Sequence, residues 1–312
     1  MKQAVSAIKQ NSARLSPLQA RKLKKTVFVW TMLSLAIINF TVFWLYVNFD
    51  SILIAFQKAD TGRFSLENFA RMFREMGQPS SSLKGAVLNS FYYFFAGIFI
   101  TFPLSLVFSY FLYKKLPFSS FFRVIFFLPS IISSVVLVTL FKHIVAVNGP
   151  IHELLNLLSG KEIDYPVLLA DPRYAVPTII LYGIWTGFGL NIVLFTGAMF
   201  RIPEDIVEYD ALEGVGFARE LFAVFTPMIW PTITTMIVYS TAGIFTNMAN
   251  ILVFTNGNFD TQTVAFFIFA QVKYASAYNY PAAIGVFFSA LGVPLVLGVK
   301  GVLERLFDTV TY

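Results

Sequence analysis

The chain has 312 residues, of which 57% are hydrophobic and only 13% charged, with a mean hydropathy of +0.70. That composition excludes an ordinary soluble domain and indicates an integral membrane protein. The formal charge of +6 is no nucleic-acid signal, because the excess base lies mainly in the N-terminal tail and no basic stripe recurs inside the chain. With no cysteine, disulfides, thiolate metal sites and cysteine nucleophiles are excluded.

Residues 1–26 hold Lys2, Lys9, Arg14, Arg21, Lys22, Lys24 and Lys25 and no acid. The apolar run that follows, Val27 to Phe49, is too long for the core of a cleaved signal and lacks a small-residue cleavage site. It is long enough to cross a bilayer, at roughly 20 residues per crossing. The positive-inside rule then puts the N-terminus in the cytoplasm. Further apolar runs at about 86–113, 121–147, 175–199, 229–253 and 282–303 bring the predicted spans to six and return the C-terminus to the cytoplasm. Lys114, Lys115 and Arg123 bracket a turn at Pro117 that this topology places inside. Segments 50–85, 148–174 and 254–281 then face outward, the first neutral to the rule because it holds five basic residues. The expected organisation is a basic tail (1–26), one all-α membrane domain (27–308) and a short C-terminal tail (309–312), in a multi-pass protein of the cell membrane.

The sequence also restricts the chemistry. No G-x-x-x-x-G-K-[ST] loop occurs, so the chain lacks that means of holding ATP. No G-x-S-x-G elbow is present. In His152-Glu153-Leu154-Leu155-Asn156, Asn156 stands where a zinc motif needs its second imidazole. No Asp or Glu falls in the middle of a span, whereas proton- and ion-coupled carriers usually need one. Lys142 and His143 lie near the outer end of the third span, where a long basic side chain reaches the interface. No catalytic residue, metal site or cofactor is expected on this chain, and no nucleic acid among its partners.

The fourth and fifth spans are separated by the most acidic stretch of the protein, 201-RIPEDIVEYDALEGVGFARELFAVFTPMIWP-231. Glu204, Asp205, Glu208, Asp210, Glu213 and Glu220 are opposed there only by Arg201 and Arg219, so it cannot lie in hydrocarbon. Pro203 suits a first helical position, and Glu204 and Asp205 the first turn, where the helix dipole favours acids. Gly214 and Gly216 predict a turn, and Phe217, Leu221, Phe222 and Phe225 one face of a second helix. Pro227 and Pro231 mark the entry to the next span. The whole reads as a helix–turn–helix hairpin held against a membrane surface.

Glu208-Tyr209-Asp210-Ala211-Leu212-Glu213-Gly214-Val215, followed by Phe222 and Pro227, resembles the E-A-A-x-x-D-G-A loop of permease subunits in binding-protein-dependent ABC importers. Tyr209 and Asp210 replace both alanines, Glu213 the Asp and Val215 the final Ala, while Glu208 and Gly214 are kept. Around the loop stand Phe127-Leu128-Pro129 with Ser133 and Ser134, Asn148-Gly149-Pro150 before an amphipathic Ile151–Leu158 segment, Trp185-Thr186-Gly187-Phe188-Gly189, Thr255-Asn256-Gly257-Asn258 and Tyr280-Pro281. In register over about residues 20–308 they resemble the carbohydrate-uptake branch, of maltose/lactose type. Asn258-Phe259 departs from the Gly-Pro that ends the family's T-x-G-G-P outer loop, and span one lacks a Pro near its outer end.

The resemblance implies a six-span ABC permease with a cytoplasmic coupling hairpin, 201–228. Its partners would be a second, homologous permease subunit, two cytoplasmic ATPase subunits that carry the ATP and Mg, and an extracytoplasmic sugar-binding protein. Glu208 would engage a basic residue of the ATPase and Gly214 would allow the turn. Tyr209, Ala211, Leu212, Glu213 and Val215 would complete the docking surface. The predicted cargo is a sugar or oligosaccharide; the rivals are an importer of amino acid, polyamine or phosphate, and a gradient-driven carrier. The spans themselves hold no fixed charge but carry Trp185, Asn191, Tyr239, Asn247 and Asn250. Amides pair with hydroxyls and aromatic faces cover the C–H side of a sugar. Asn247 and Asn250, three apart, are expected on one helix face with Tyr239 about two turns earlier; hydrogen bonds between helices are the competing role for these amides.

Overall fold

A computed structural model describes residues 17–212, 214–275 and 278–306, apart from the side chains of 17, 19, 20 and 210–212. Described residues outside helices form turns and loops, with a single isolated β-bridge, Gln57 to Phe64. The first helix, α1, runs from Pro17–Asn39 through a π-helical stretch, Phe40–Tyr46, into Val47–Ala55. A short helix α2 (Glu67–Gly77) leads to α3 (Ser82–Tyr113), which contains its own π segment, Gly97–Thr101. Next come α4 (Ser119–Ile131), α5 (Ser134–Ile144), α6 (Pro150–Ser159) and the long α7 (Pro172–Met199). The acidic stretch forms α8 (Glu204–Leu212) and α9 (Phe217–Met228). The chain ends through α10 (Trp230–Ala242), α11 (Ile251–Phe254), α12 (Val264–Ala275) and α13 (Asn279–Leu306).

Among the described residues four helices are long and apolar enough to cross a membrane, and the number rises to six if each of two bent pairs is one span. The protein is therefore a multi-pass helical membrane protein. Both bends have proline at hand. Pro129 lies inside α4 and cannot supply the amide its turn requires; α4 stops two residues later, and α5 leaves at 108°. The Phe127-Leu128-Pro129 motif thus sits at a break within the predicted third span rather than at its opening. Pro227 and Pro231 flank Ile229, where α9 and α10 meet at 74°.

The predicted fifth span departs further from expectation. A single helix over 229–253 does not form: α10 stops at Ala242, and residues 243–250 are turns and irregular backbone. Ala249 and Asn250 have φ of 47° and 56°, left-handed values that few non-glycine residues adopt. A helix of 13 residues rises about 20 Å, short of the roughly 30 Å hydrocarbon core. Irregular backbone is tolerated at membrane depth only where protein buries it or where it lines a cavity. The segment meets part of its hydrogen-bonding need locally. The Asn247 amide donates to the Gly243 carbonyl at 3.0 Å and the Ile251 amide to Met248 at 3.0 Å, while Asn247 Oδ1 accepts the Ala249 amide at 2.8 Å.

α7 lies along α3 and α4, and α13 along α10 and the end of α1. Small residues make the close crossings, as membrane helices require. A Cβ on Gly189 would stand 2.6 Å from the Phe126 carbonyl oxygen, so α7 and α4 meet there only because the residue is glycine. Ser105 and Ser109 are fully buried between α3 and α7. Ser109 Oγ reaches both the Ser105 carbonyl at 2.6 Å and the Ile192 carbonyl at 3.3 Å. One core, with Leu106, Phe195, Met199, Leu221 and Phe225, sits at the hairpin end of the bundle. Two more, around Leu83, Phe245 and Ile284 and around Val138, Ile179 and Phe254, hold the other end.

Candidate functional site

A cavity of about 840 Å³ opens between α3, α7, α10 and the irregular segment after α10. Its wall is made where three sequence features coincide: the π segment of α3 (Gly97, Thr101), the glycines of α7 (Gly183, Gly187) and the broken stretch from Gly243 to Asn250. In α3 the π turn leaves the Ala96 carbonyl to the Thr101 hydroxyl at 3.4 Å. Among the described residues no lining side chain carries a charge; the polar groups are hydroxyls (Ser90, Thr101, Thr186, Thr235, Ser240, Thr246, Thr263, with Tyr93, Tyr182 and Tyr239) and amides. Uncharged donors and acceptors on an otherwise apolar wall suit a neutral, hydroxyl-bearing solute.

Asn191, Tyr239, Asn247 and Asn250 all line this cavity. Trp185 is not among the lining residues: it is 38% exposed, with its ring 6.3 Å from Phe141 and 6.1 Å from Tyr182. Asn247 and Asn250 do not share a helix face as their spacing predicts, since no helix connects them. They are brought to the cavity by the break instead. Asn247 spends its carbonyl oxygen on the Ala249 amide, and Asn250 takes the left-handed position that opens α11. Tyr239 is 81% exposed within this chain. Behind the break, Lys142 Nζ donates to the Val253 carbonyl at 3.2 Å, so this lysine binds the backbone of α11 as well as lying near an outer end.

The second candidate region is the hairpin. α8 and α9 are joined by a turn in which Gly214 has φ of 66°, the conformation that glycine adopts without strain. Glu208 lies in the middle of α8 rather than near its end, and is exposed. Tyr209 is 65% exposed, and Val215 is half-buried. Ala211 and Leu212 belong to α8, but their side chains, and all of Glu213, lie outside the described residues. In α9 the expected single apolar face is altered by a π segment, Glu220–Phe225. Leu221 and Phe225 are fully buried, whereas Phe222 is 58% exposed, because the wider turn rotates it out of register with its neighbours.

The same rotation buries Glu220, which the acidity of the stretch had suggested was solvated. It is 7% exposed, accepts a hydrogen bond from Tyr110 Oη at 2.5 Å and pairs with Lys114. Tyr110 lies in the last turn of α3 and Lys114 is the residue just after it, both more than a hundred residues earlier in the chain. A carboxylate among phenylalanines, nine residues upstream of the apolar run that begins at 229, with a lysine just past the end of another run, was the available signal.

No protein-family model matches the chain. Among curated proteins it is similar to Protein LplB of Bacillus subtilis (strain 168), 25% identical over 187 residues, which cover 58% of this chain and 57% of LplB. It is also similar to the maltose/maltodextrin transport system permease protein MalF of Escherichia coli (strain K12), 26% identical over 196 residues, 62% of this chain and 37% of MalF. The match thus spans little more than half of one relative and about a third of the other. Among solved structures it shares the fold of a chain of a bacterial ABC transporter that imports the acidic polysaccharide alginate. There the TM-score is 0.79 at 19% identity, covering 91% of this chain and 98% of that one. A second structure of an alginate ABC transporter, in complex with an alginate pentasaccharide-bound periplasmic protein, superposes with a TM-score of 0.80. The chain is thus similar in sequence to a maltose/maltodextrin transport permease and shares its fold with a chain of an alginate ABC transporter.

Proposed function

We propose that this chain is one membrane-spanning half of an ATP-driven importer that passes a neutral sugar or oligosaccharide through the cavity beside the broken fifth span. In this reading both bent pairs count as crossings, giving six spans, and the basic residues Arg21, Lys22, Lys24 and Lys25 before the first span favour a cytoplasmic side for the termini and the hairpin. The observation that carries the reading is the uncharged cavity, whose hydroxyl and amide lining complements a polyol and offers nothing to neutralise an anion or a cation. In this reading ATP and Mg are held by two partner ATPase subunits, which the lack of a phosphate-binding loop on this chain supports, and the exposed Glu208 and Tyr209 of α8 would be the surface offered to one of them. A second, related permease would complete the pore, and an extracytoplasmic binding protein would deliver the solute, as the partnership in the alginate structure supports by analogy. Alternating access then follows as a two-state rearrangement that ATP binding biases through the hairpin.

A mild-detergent purification of the chain from its native cell tests this directly. An ATPase with a phosphate-binding loop and a second multi-span protein are expected to copurify. The reconstituted complex should import neutral oligosaccharides in preference to acidic ones, amino acids or polyamines. Uptake driven by a proton or sodium gradient, with no ATPase present, would overturn the reading.

A further inference from the structure

The hairpin is fastened to one particular span. Glu220 of α9 is buried between Tyr110 and Lys114, both at the end of α3, with the phenol donating at 2.5 Å and the ammonium paired to the other carboxylate oxygen. Around this contact runs an aromatic seam. Phe217 stacks on Phe111 with ring centres 5.1 Å apart, and Phe225 meets Tyr110 at 5.3 Å and Tyr113 at 5.1 Å. A buried carboxylate and its ammonium, held by a third hydrogen-bonding group, are costly to separate, because either charge left alone would remain desolvated. Following α3 from this joint leads into the cavity wall, through Thr101, Gly97, Tyr93 and Ser90.

We propose that the Lys114–Glu220–Tyr110 clasp makes the hairpin and α3 one rigid body, so that displacement of the hairpin moves the α3 wall of the cavity directly. Glu220 and Lys114 act as positioning residues for transport. Neither is among the residues that line the cavity. The proposal rests on the importer reading, and its novelty is the assignment of the stroke to α3 rather than to the span that continues from the hairpin, which leaves α9 through a 74° bend.

The chain has no cysteine, which allows a clean test in the assembled complex in proteoliposomes. Phe111→Cys and Phe217→Cys, joined by a short bifunctional thiol reagent, lock hairpin to α3. If the two move as one body, the locked complex keeps at least about half its ATP-driven uptake; a loss of about tenfold or more, with the complex intact, overturns the proposal. Glu220→Gln and Lys114→Met should each lower the solute moved per ATP hydrolysed by about tenfold while the ATPase still copurifies. The exchanged pair, Lys114→Glu with Glu220→Lys, should recover most of that ratio. An unchanged ratio in both single variants would overturn the clasp. Failure of the unmodified complex to contain an ATPase would instead sink the importer reading beneath it, so the two failures are distinguishable.

Discussion

Asn191 and Asn247 both face the cavity but stand in different positions chemically. Asn247 already holds the Ala249 amide with its carbonyl oxygen, so its amide nitrogen is the part offered to a solute. Asn191→Ala is expected to lower uptake about fivefold, the equivalent of one hydrogen bond of about 1 kcal/mol, with complex yield unchanged. Asn247→Ala should lower uptake similarly and also reduce the thermal midpoint, because the broken segment loses a backbone contact. Initial uptake rates and a melting curve in detergent separate the two. Glu208 poses a different question, since it is exposed and no hydrogen bond or ion pair holds its side chain among the described residues. Glu208→Lys should leave the melting curve unchanged while cutting ATP-coupled uptake about tenfold or more, by replacing a charge-assisted bond to a basic partner with repulsion. Normal solute-to-ATP stoichiometry would remove Glu208 from the docking surface.

At the scale of elements, glycine content alone says little about where two helices meet. Gly189 and Gly197 are both on α7, yet an added Cβ at Gly189 would collide with α4 backbone 2.6 Å away, whereas at Gly197 it would meet nothing within 4 Å. Gly189→Ala should destabilise the protein by about 1–3 kcal/mol through overpacking of that crossing. Gly197→Ala should be neutral or slightly stabilising, as helix propensity predicts. Thermal midpoints of the two variants in the same detergent check this, and equal midpoints would refute the close crossing. Apolar run lengths found the long helices α1, α3, α7 and α13, but not the breaks after Pro129 or Ala242. An apolar run specifies that a segment belongs in lipid or core; it does not specify that its backbone hydrogen bonds continue without interruption. Pro129 lies in the last turn before the first break. The second has no proline within it and depends on the cavity it lines.

For the whole molecule, the notable asymmetry is α1. Through most of its length its apolar side chains face outward, exposed within this chain, where lipid or a companion subunit would cover them. Its far end is held by two amides from distant parts of the sequence. Asn68 donates to the carbonyls of Ala55 and Gln57, each at 3.0 Å, and Asn279 to those of Ile54 at 3.1 Å and Gln57 at 3.0 Å. Together they satisfy carbonyls that a helix end leaves open. Nearby, Tyr280 bonds Glu75, and Arg71 lies 4.1 Å over the Tyr280 ring, tying α2 to the start of α13. Replacing both amides, Asn68→Ala with Asn279→Ala, should cost about 2–4 kcal/mol, since each removes bonds worth about 1 kcal/mol and leaves carbonyls unsatisfied. A lowered thermal midpoint, with membrane insertion intact, is the expected result; no change would mean that lipid contacts alone place α1.

What the sequence determined by itself was local or compositional. Hydropathy decided that the chain is membrane-embedded, and the acidic, glycine-interrupted stretch between apolar runs decided that a hairpin projects there. The absence of acids from the spans decided that the cavity would be uncharged. These properties are written in consecutive residues and survive whatever the helices pack against. Tertiary structure decided the rest. Glu220 looks like any other acid of its stretch until Tyr110 and Lys114 enclose it, and neither is near it in sequence. Asn247 and Asn250 reach the cavity because their helix fails, not because of the periodicity that first paired them. Trp185, equally plausible by composition, packs against Phe141 and Tyr182 instead of lining the cavity. Burial, ion pairing and backbone breaks depend on distant groups filling the same space, and no window of sequence holds both sides of such a contact.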